Sequence, residues 1–255
     1  MEKLSLIINA DDFGKSRDIN EAIMAAMDSN LCKDATLLVN FENSSEAACM
    51  AIAANRKNNI GIHVNLTEGY PLTNKIKNES LFCNNEGLFH YKRDKRIIHL
   101  SKSEKIAVYE EIESQIRLCR SFGIPISHAD SHHHIHEEPG MLMIILHVLK
   151  KENIPFVRMA RNIGKTSILN KMYRNAYNSV LYFNNLVGTN YFGSISDFGV
   201  SKRSIIPNSI AELMIHPGKI INNNLFDLYS DENLSVIVPE IIAGSKLISY
   251  CQLKK

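Results

Sequence analysis

A parallel α/β fold, closed or nearly closed as a single barrel, is what this 255-residue sequence predicts. Short β-type apolar runs alternate with helix-type segments over most of the length, and neither an internal repeat nor a linker divides the chain. Barrels of alternating strands and helices commonly occupy a length of this order as one unit, so residues 1–255 are read as one domain. Hydrophobic residues make up 45% and charged residues 22%, which allows a full core and argues against disorder.

Leu4 to Ala10 reads as the first strand, apolar except at Ser5 and Asn9, as expected when both faces are covered. A helix follows from about Ser16, whose hydroxyl can cap the free amides ahead of Ile19, Ala22, Ile23, Ala26 and Met27 at helical spacing. Thr36 to Asn40 is the second strand, Ser44 to Lys57 an Ala-rich helix with a serine at its start, and Ile60 to Leu66 a third strand carrying His63. Residues 67–98, rich in Asn, Lys, Gly and Pro, lack sustained periodicity and exceed an ordinary connection; part of a substrate rim is expected there. Ser103 to Phe122 is the clearest helix, with Ile106, Tyr109, Ile112, Ile116 and Cys119 on one stripe and Gly123 and Pro125 to stop it. Pro125 to Ala129 reads as a short strand that delivers a histidine cluster, Gly140 to Lys151 as an apolar helix and Ile154 to Met159 as a further strand. A helix is expected near Ile168 to Leu186, and Ile210 to Ile215 and Leu247 to Tyr250 read as late strands.

The formal net charge of +2 is scattered, with no basic stripe to neutralise a run of phosphates, so nucleic acid is not expected as a partner. Lys92 to Arg96, the densest basic run, reads as a solvated surface loop. Five cysteines, widely spaced and without a Cys-x-x-Cys pair, suggest neither a disulfide framework nor a thiolate zinc site, and fit a reducing cytoplasm. The N-terminal apolar run is short and ends in two aspartates, and nothing approaches the ~20 apolar residues of a membrane span. A soluble, unexported protein with no membrane partner is expected.

Chemistry concentrates in the histidines. Six of the ten lie at His63 or within the run from His128 to His136, and Asp11 and Asp12 close the first strand. Asp11 and Asp12, His63, the histidine run and His216 all follow predicted strands, which gathers them at the C-terminal mouth of a barrel. A catalytic divalent cation needs about three protein ligands and an open position, and one carboxylate with two imidazoles would suffice. Two adjacent aspartates cannot both point the same way from a strand, which suits a division between an ion ligand and a proton acceptor. In an extended segment His132, His134 and His136 would share one face, with His133 on the other, and Asp130 is a natural orienting carboxylate. His216, opposite the base, would protonate a leaving amine.

The motifs Asn-Ala-Asp-Asp-Phe-Gly (9–14), Gly-Ile-His-Val-Asn-Leu-Thr-Glu-Gly (61–69), Ser-His-Ala-Asp-Ser-His-His-His-Ile-His (127–136) and Glu-Leu-Met-Ile-His-Pro-Gly (212–218) together resemble the YdjC-like carbohydrate deacetylases, which include chitooligosaccharide deacetylase. The resemblance implies a distorted (β/α) barrel related to polysaccharide deacetylases and metal-dependent removal of acetyl groups from small N-acetylated sugars. It also implies one divalent cation, Mg2+ or Zn2+, bound by Asp12, His63 and His132, with Asp11 as general base and His216 as general acid. His128, Asp130, His134 and His136 match the extended motif without an assigned role, and a homodimer is implied by the family alone. Two other readings compete. His134-x-His136 mimics the ligand pair of barrel phosphoesterases and amidohydrolases, although such pairs usually sit at the first strand. The chain could also be a sugar- or metal-binding protein that retains the site without turnover.

Overall fold

The computed structural model describes residues 4–91, 96–201 and 205–253, so most of the basic run, residues 92–95, lies outside the described residues. Strand β1 (Ser5–Phe13) runs past the expected end at Ala10 and takes in both aspartates. Helix α1 (Arg17–Asp28) begins as expected: Ser16 Oγ accepts from the Ile19 amide at 3.3 Å, and the five predicted apolar positions are buried. β2 (Asp34–Leu37) starts ahead of Thr36, and α2 (Ser44–Ala53) stops short of Lys57 where Asn55 turns the backbone left-handed at a φ of 57°. β3 (Ile60–Val64) follows, then the long loop with one short helix, α3 (Asn74–Lys77).

Helix α4 (Lys102–Ser121) carries a capping box between Ser101 and Glu104 and ends before Gly123, whose φ is +87°. Its predicted stripe is buried at Ile112, Ile116 and Cys119, but Ile106 is exposed. The strand expected from Pro125 to Ala129 is displaced to β4 (Ala129–Ser131), because Pro125 offers no amide and Ile126 has a φ of +60°. Helices α5 (Leu142–Lys151) and α6 (Ile168–Phe183) stand close to expectation. Ile154 to Met159 forms only isolated bridges; Pro155 cannot donate to a ladder. β5 (Tyr191–Ser194), α7 (Ile195–Ser201), the hairpin β7 (Pro217–Ile221) and β8 (Asn224–Asp227), and α8 (Leu234–Ile242) were not anticipated, whereas β6 (Ile210–Ile215) matches and β9 (Lys246–Ile248) ends earlier than Tyr250.

Among the described residues seven strands form a curled parallel sheet in the order β4-β3-β2-β1-β6-β5, with β9 beside the start of β1. The edges approach closure: Ala129 of β4 bridges Val157, and Phe156 bridges Val187, just ahead of β5. The result is a barrel completed by single bridges where a full strand would stand.

Alternation sorts the side chains. Leu6, Ile8 and Ala10 of β1, Ala35 and Leu37 of β2, Ile60, Ile62 and Val64 of β3 and Ala211, Leu213 and Ile215 of β6 enter the large apolar cluster shared with the helices. Inside the barrel Ile7, Ile248, Tyr250 and Leu253 make a small apolar plug. Level with the plug is Glu212 and above it are Asn9, Asp11, Thr36, His63 and Asp130, all on the inward face, polar and buried. The interior is narrow: a Cβ on Gly61 would stand 2.6 Å from the His128 carbonyl oxygen and 2.7 Å from its ring.

Candidate metal centre and catalytic site

The site sits where the parallel strands end. Asp11 continues the inward parity of Ile7 and Asn9. Asp12 would point outward, but the β1–β2 register slips between Ala10 and Phe13 and Asp12 adopts a φ of +69°. This bulge turns its carboxylate back to the mouth, so neighbouring aspartates serve one pocket from different directions.

Asp12, His63 and His132 offer ligand atoms that converge on one point, within 4.8 Å of one another. His132 Nδ1 lies 2.9 Å and His63 Nε2 3.5 Å from Asp12 Oδ1. That oxygen is buried and accepts no well-aligned hydrogen bond, despite the short approach of His132. A buried carboxylate oxygen is costly to leave so, and the arrangement fits a divalent cation placed among the three donors. Asp12 is held well below the usual carboxylate range, because its pairing with His132 and His63 outweighs burial, which pushes the other way.

Each imidazole is fixed from behind. His63 Nδ1 meets Asp130 Oδ1 at 2.6 Å, as the orienting role expected of Asp130 requires, and Thr36 Oγ1 donates to Asp130 Oδ2 at 3.0 Å. Burial disfavours the charged form of His63, yet Asp130 and Asp12 raise it to about 10. His132 Nε2 lies 2.9 Å from Glu68 Oε2, and Tyr229 donates to Asp12 Oδ2 at 2.8 Å.

Asp11 is gripped by Arg158, whose two terminal nitrogens donate to its oxygens at 2.6 and 2.7 Å, while Asn9 donates at 2.8 Å. Burial raises the Asp11 carboxyl, but Arg158 overrides it and keeps the group ionised. Arg158 is fully buried, and it also meets Asp130 at 2.6 Å and Glu212 at 2.7 Å. Burial pushes Glu212 up to about 7 against the pull of Arg158.

His216 follows β6, with Nε2 3.9 Å from Asp11 Oδ2 and Nδ1 3.6 Å from Asp227 Oδ2. Burial disfavours its charged form, but Asp227 above all, then Asp11 and Asp12, raise it. Beside it a cavity of about 240 Å3 is lined by Arg161, Ser194, Ser196, Tyr229, Ser230 and Glu232. A larger cavity of about 890 Å3 between α4 and α5 includes none of the site residues.

The histidine run departs from the extended form expected of it. His132 to Glu137 is a tight turn, with His133 and His134 at φ of +50° and +53°, so the alternation ends at His132. His134 packs edge-on against Phe192, and His136 Nδ1 meets Ser131 Oγ at 2.6 Å. Neither joins the candidate metal cluster among the described residues. His128 lies deeper, stacked on Tyr250 at 3.9 Å with Nε2 3.1 Å from Asn9 Oδ1; burial, with Arg158 nearby, keeps it neutral.

Arg158, Glu68, Asp227 and Tyr229 were not anticipated. Arg158 carried a readable signal, a lone charge inside the apolar run Ile154 to Met159, the same kind of interruption that marks His63. Asp227 and Tyr229 lie on and just beyond the unexpected hairpin of β7 and β8.

The profile of the YdjC-like protein family matches residues 5–236. A protein of Clostridium beijerinckii named carbohydrate deacetylase is 31% identical over 215 residues, 84% of this chain and 82% of its own length. A Vibrio parahaemolyticus protein of the same name is 32% identical over 152 residues, 60% of this chain and 58% of its own. In fold the chain is similar to a crystal structure from Enterococcus faecalis V583, provisionally described as a cellobiose-phosphate cleavage protein. The TM-score is 0.72 at 22% identity, covering 97% of this chain and 98% of that one.

Proposed function

We propose, on the premise that the chain belongs to the YdjC-like protein family, that it is a carbohydrate deacetylase that hydrolyses the acetamide of small N-acetylated sugars such as chitooligosaccharides. The observation that carries the reading is the convergence of Asp12 Oδ1, His63 Nε2 and His132 Nδ1 on one point, with the Asp12 oxygen left for a cation. Asp12, His63 and His132 would hold one divalent ion, Zn2+ or Mg2+, and two imidazoles among the ligands favour zinc. When bound, such an ion supplies Lewis acidity, polarising a carbonyl and lowering the pKa of water.

The protein groups divide the proton work. Asp11, kept ionised by Arg158 and facing the same mouth, accepts a proton from the attacking water. His216, protonated because Asp227 supports the imidazolium, gives a proton to the departing sugar nitrogen as the C–N bond breaks. Acetate and a free amine result. The cavity beside His216 is where the sugar ring would sit.

No helix among the described residues is long and apolar enough to cross a membrane. A cytoplasmic single-domain enzyme is the reading in keeping with the cysteine usage, and assembly as a homodimer rests on the family resemblance alone. The deciding assay is acetate release from N-acetylglucosamine oligomers and their 6-phosphates with zinc, with magnesium and with a chelator. No acetate from any of them with either metal would leave a binding protein. Phosphate released from a generic ester, without acetate, would favour the phosphoesterase reading.

A further inference from the structure

We propose that Glu68 is a positioning residue for the metal centre, holding His132 in the one tautomer whose bare nitrogen faces Asp12. The inference rests on the reading of Asp12, His63 and His132 as ligands and extends it to the first turn of the long loop. A neutral imidazole has one bare nitrogen and one N–H, and a cation can take only the bare one. Both nitrogens of His132 lie beside carboxylates: Nδ1 is 2.9 Å from Asp12 Oδ1 without a well-aligned hydrogen bond, and Nε2 is hydrogen-bonded to Glu68 Oε2 at 2.9 Å. With the proton on Nδ1, the Nε2 lone pair would face the Glu68 carboxylate and the proton would occupy the cation's place. Glu68 therefore selects the Nε2–H form.

His63 is arranged with its nitrogens exchanged, Nδ1 on Asp130 at 2.6 Å and Nε2 toward Asp12 at 3.5 Å. The two rings thus have one backing carboxylate each, but the carboxylates differ in setting. Asp130 is fully enclosed and also engaged by Arg158 and Thr36, whereas the Glu68 side chain is 41% exposed and comes from a loop.

That loop is nonetheless fixed. Asn65 Oδ1 accepts from the Thr67 and Glu68 amides at 3.0 and 3.1 Å, and its Nδ2 donates to the Glu68 carbonyl at 2.7 Å. Gln115 of α4 clamps the Asn65 backbone at 2.9 and 2.7 Å. Lys15 donates to the same Glu68 Oε2 at 2.9 Å. Two roles for Glu68 compete with this one: the Lys15 ion pair, which ties the loop to the turn after β1, and direct ligation, since Glu68 also groups with His132 and His133 as donor atoms within 4.8 Å of one another.

Zinc titration of the full chain against a chromophoric chelator, together with imidazole NMR, separates these roles, using wild type, Glu68→Ala, Glu68→Gln, Lys15→Met and His63→Ala. Glu68→Ala is expected to weaken zinc binding on the order of 10- to 100-fold, with Glu68→Gln between it and wild type, because an amide oxygen accepts without the charge. Lys15→Met should bind at least as tightly as wild type, since it removes a positive charge 3.9 Å from Asp12 Oδ2. Imidazole nitrogen NMR of the zinc-loaded protein should find the His132 proton on Nε2, slow to exchange in wild type and Lys15→Met and fast in Glu68→Ala; a proton on Nδ1 would make Glu68 a ligand beside Nε2 and overturn its positioning role. Unchanged affinity in Glu68→Ala beside loss in His63→Ala would overturn the role of Glu68 and leave the metal centre standing, as would a Lys15→Met variant as weak as Glu68→Ala. Full affinity in His63→Ala, or no zinc binding by wild type, would sink the centre itself and this role with it.

Discussion

Arg158 and Asp11, 147 positions apart in the chain, meet through two parallel hydrogen bonds of 2.6 and 2.7 Å inside the barrel. The same guanidinium reaches Asp130 and Glu212, so one buried cation stands against three buried carboxyls. Removing it leaves those acids uncompensated, and Arg158→Met is expected to destabilise the fold by about 3–5 kcal/mol at neutral pH. Glu212, pushed up to about 7 by burial, loses the opposing pull of Arg158 in the variant and rises further, so its stabilising, protonated form is lost as pH rises. Urea unfolding at pH 5 and pH 8 should therefore find a larger deficit relative to wild type at pH 8. Equal deficits would contradict this account of Arg158.

Asp11 and His63 divide the proposed chemistry between proton transfer and ion binding. Asp11→Asn should keep zinc affinity near that of wild type while lowering kcat by about 10²–10⁴-fold, the usual contribution of a positioned acid or base. His63→Ala should lose both the ion and turnover. Parallel measurements of bound metal and acetate release test the split, and equal metal loss in the two variants would refute it.

What was legible in the sequence follows from parity and sequence distance. Strands with both faces covered leave only a few polar interruptions, and Asn9, Asp11, His63 and His216 stand out in apolar runs for that reason. Position at or after a strand end was enough to gather Asp11, His63 and His216 at one mouth. The bulge at Asp12 was not legible, because a left-handed residue inside Asp-Asp-Phe leaves no mark that a strand-end aspartate lacks. The turn at His133 and His134 was hidden likewise: two left-handed non-glycine residues are disfavoured locally and imposed by the fold. Arg158 was not anticipated because the acids it serves lie on β1, β4 and β6, remote from it in sequence. The hairpin of β7 and β8 was within reach, as Asn222 and Asn223 take the left-handed pair that a tight hairpin needs.

Asp227 sets the proton affinity of the proposed acid. It accepts from the His216 amide at 2.7 Å and stands 3.6 Å from Nδ1 of the same residue. His216 is raised above the ordinary histidine range, so it stays protonated, and active as an acid, until pH exceeds that raised value. Asp227→Asn removes the stabilising charge and should move the alkaline limb of kcat/KM toward acid by about one pH unit. An unmoved limb would mean that His216 does not set it.

Asp34 sits at the opposite end of the barrel and predicts a pH effect unconnected with catalysis. Its carboxylate accepts from Ser249 Oγ at 2.6 Å, the Tyr250 amide at 3.1 Å and Asn59 at 3.3 Å, and joins β2 to the chain after β9. Burial outweighs these bonds and pushes Asp34 up to about 6. Because the folded value lies above the ordinary 3.8, the stabilising contribution is complete below pH 3.8 and is lost as pH rises through about 6. Asparagine keeps an oxygen for the Tyr250 amide and carries no charge at any pH, so what it loses in the hydrogen bonds from Ser249 and Asn59 is the same across the range. Relative to wild type, Asp34→Asn should therefore gain stability between pH 4 and pH 7.5, by at most about 3 kcal/mol for a shift of about two units. Urea midpoints across that range measure it; parallel curves for the two proteins would show that Asp34 folds with its ordinary proton affinity and that the three hydrogen bonds fully offset its burial.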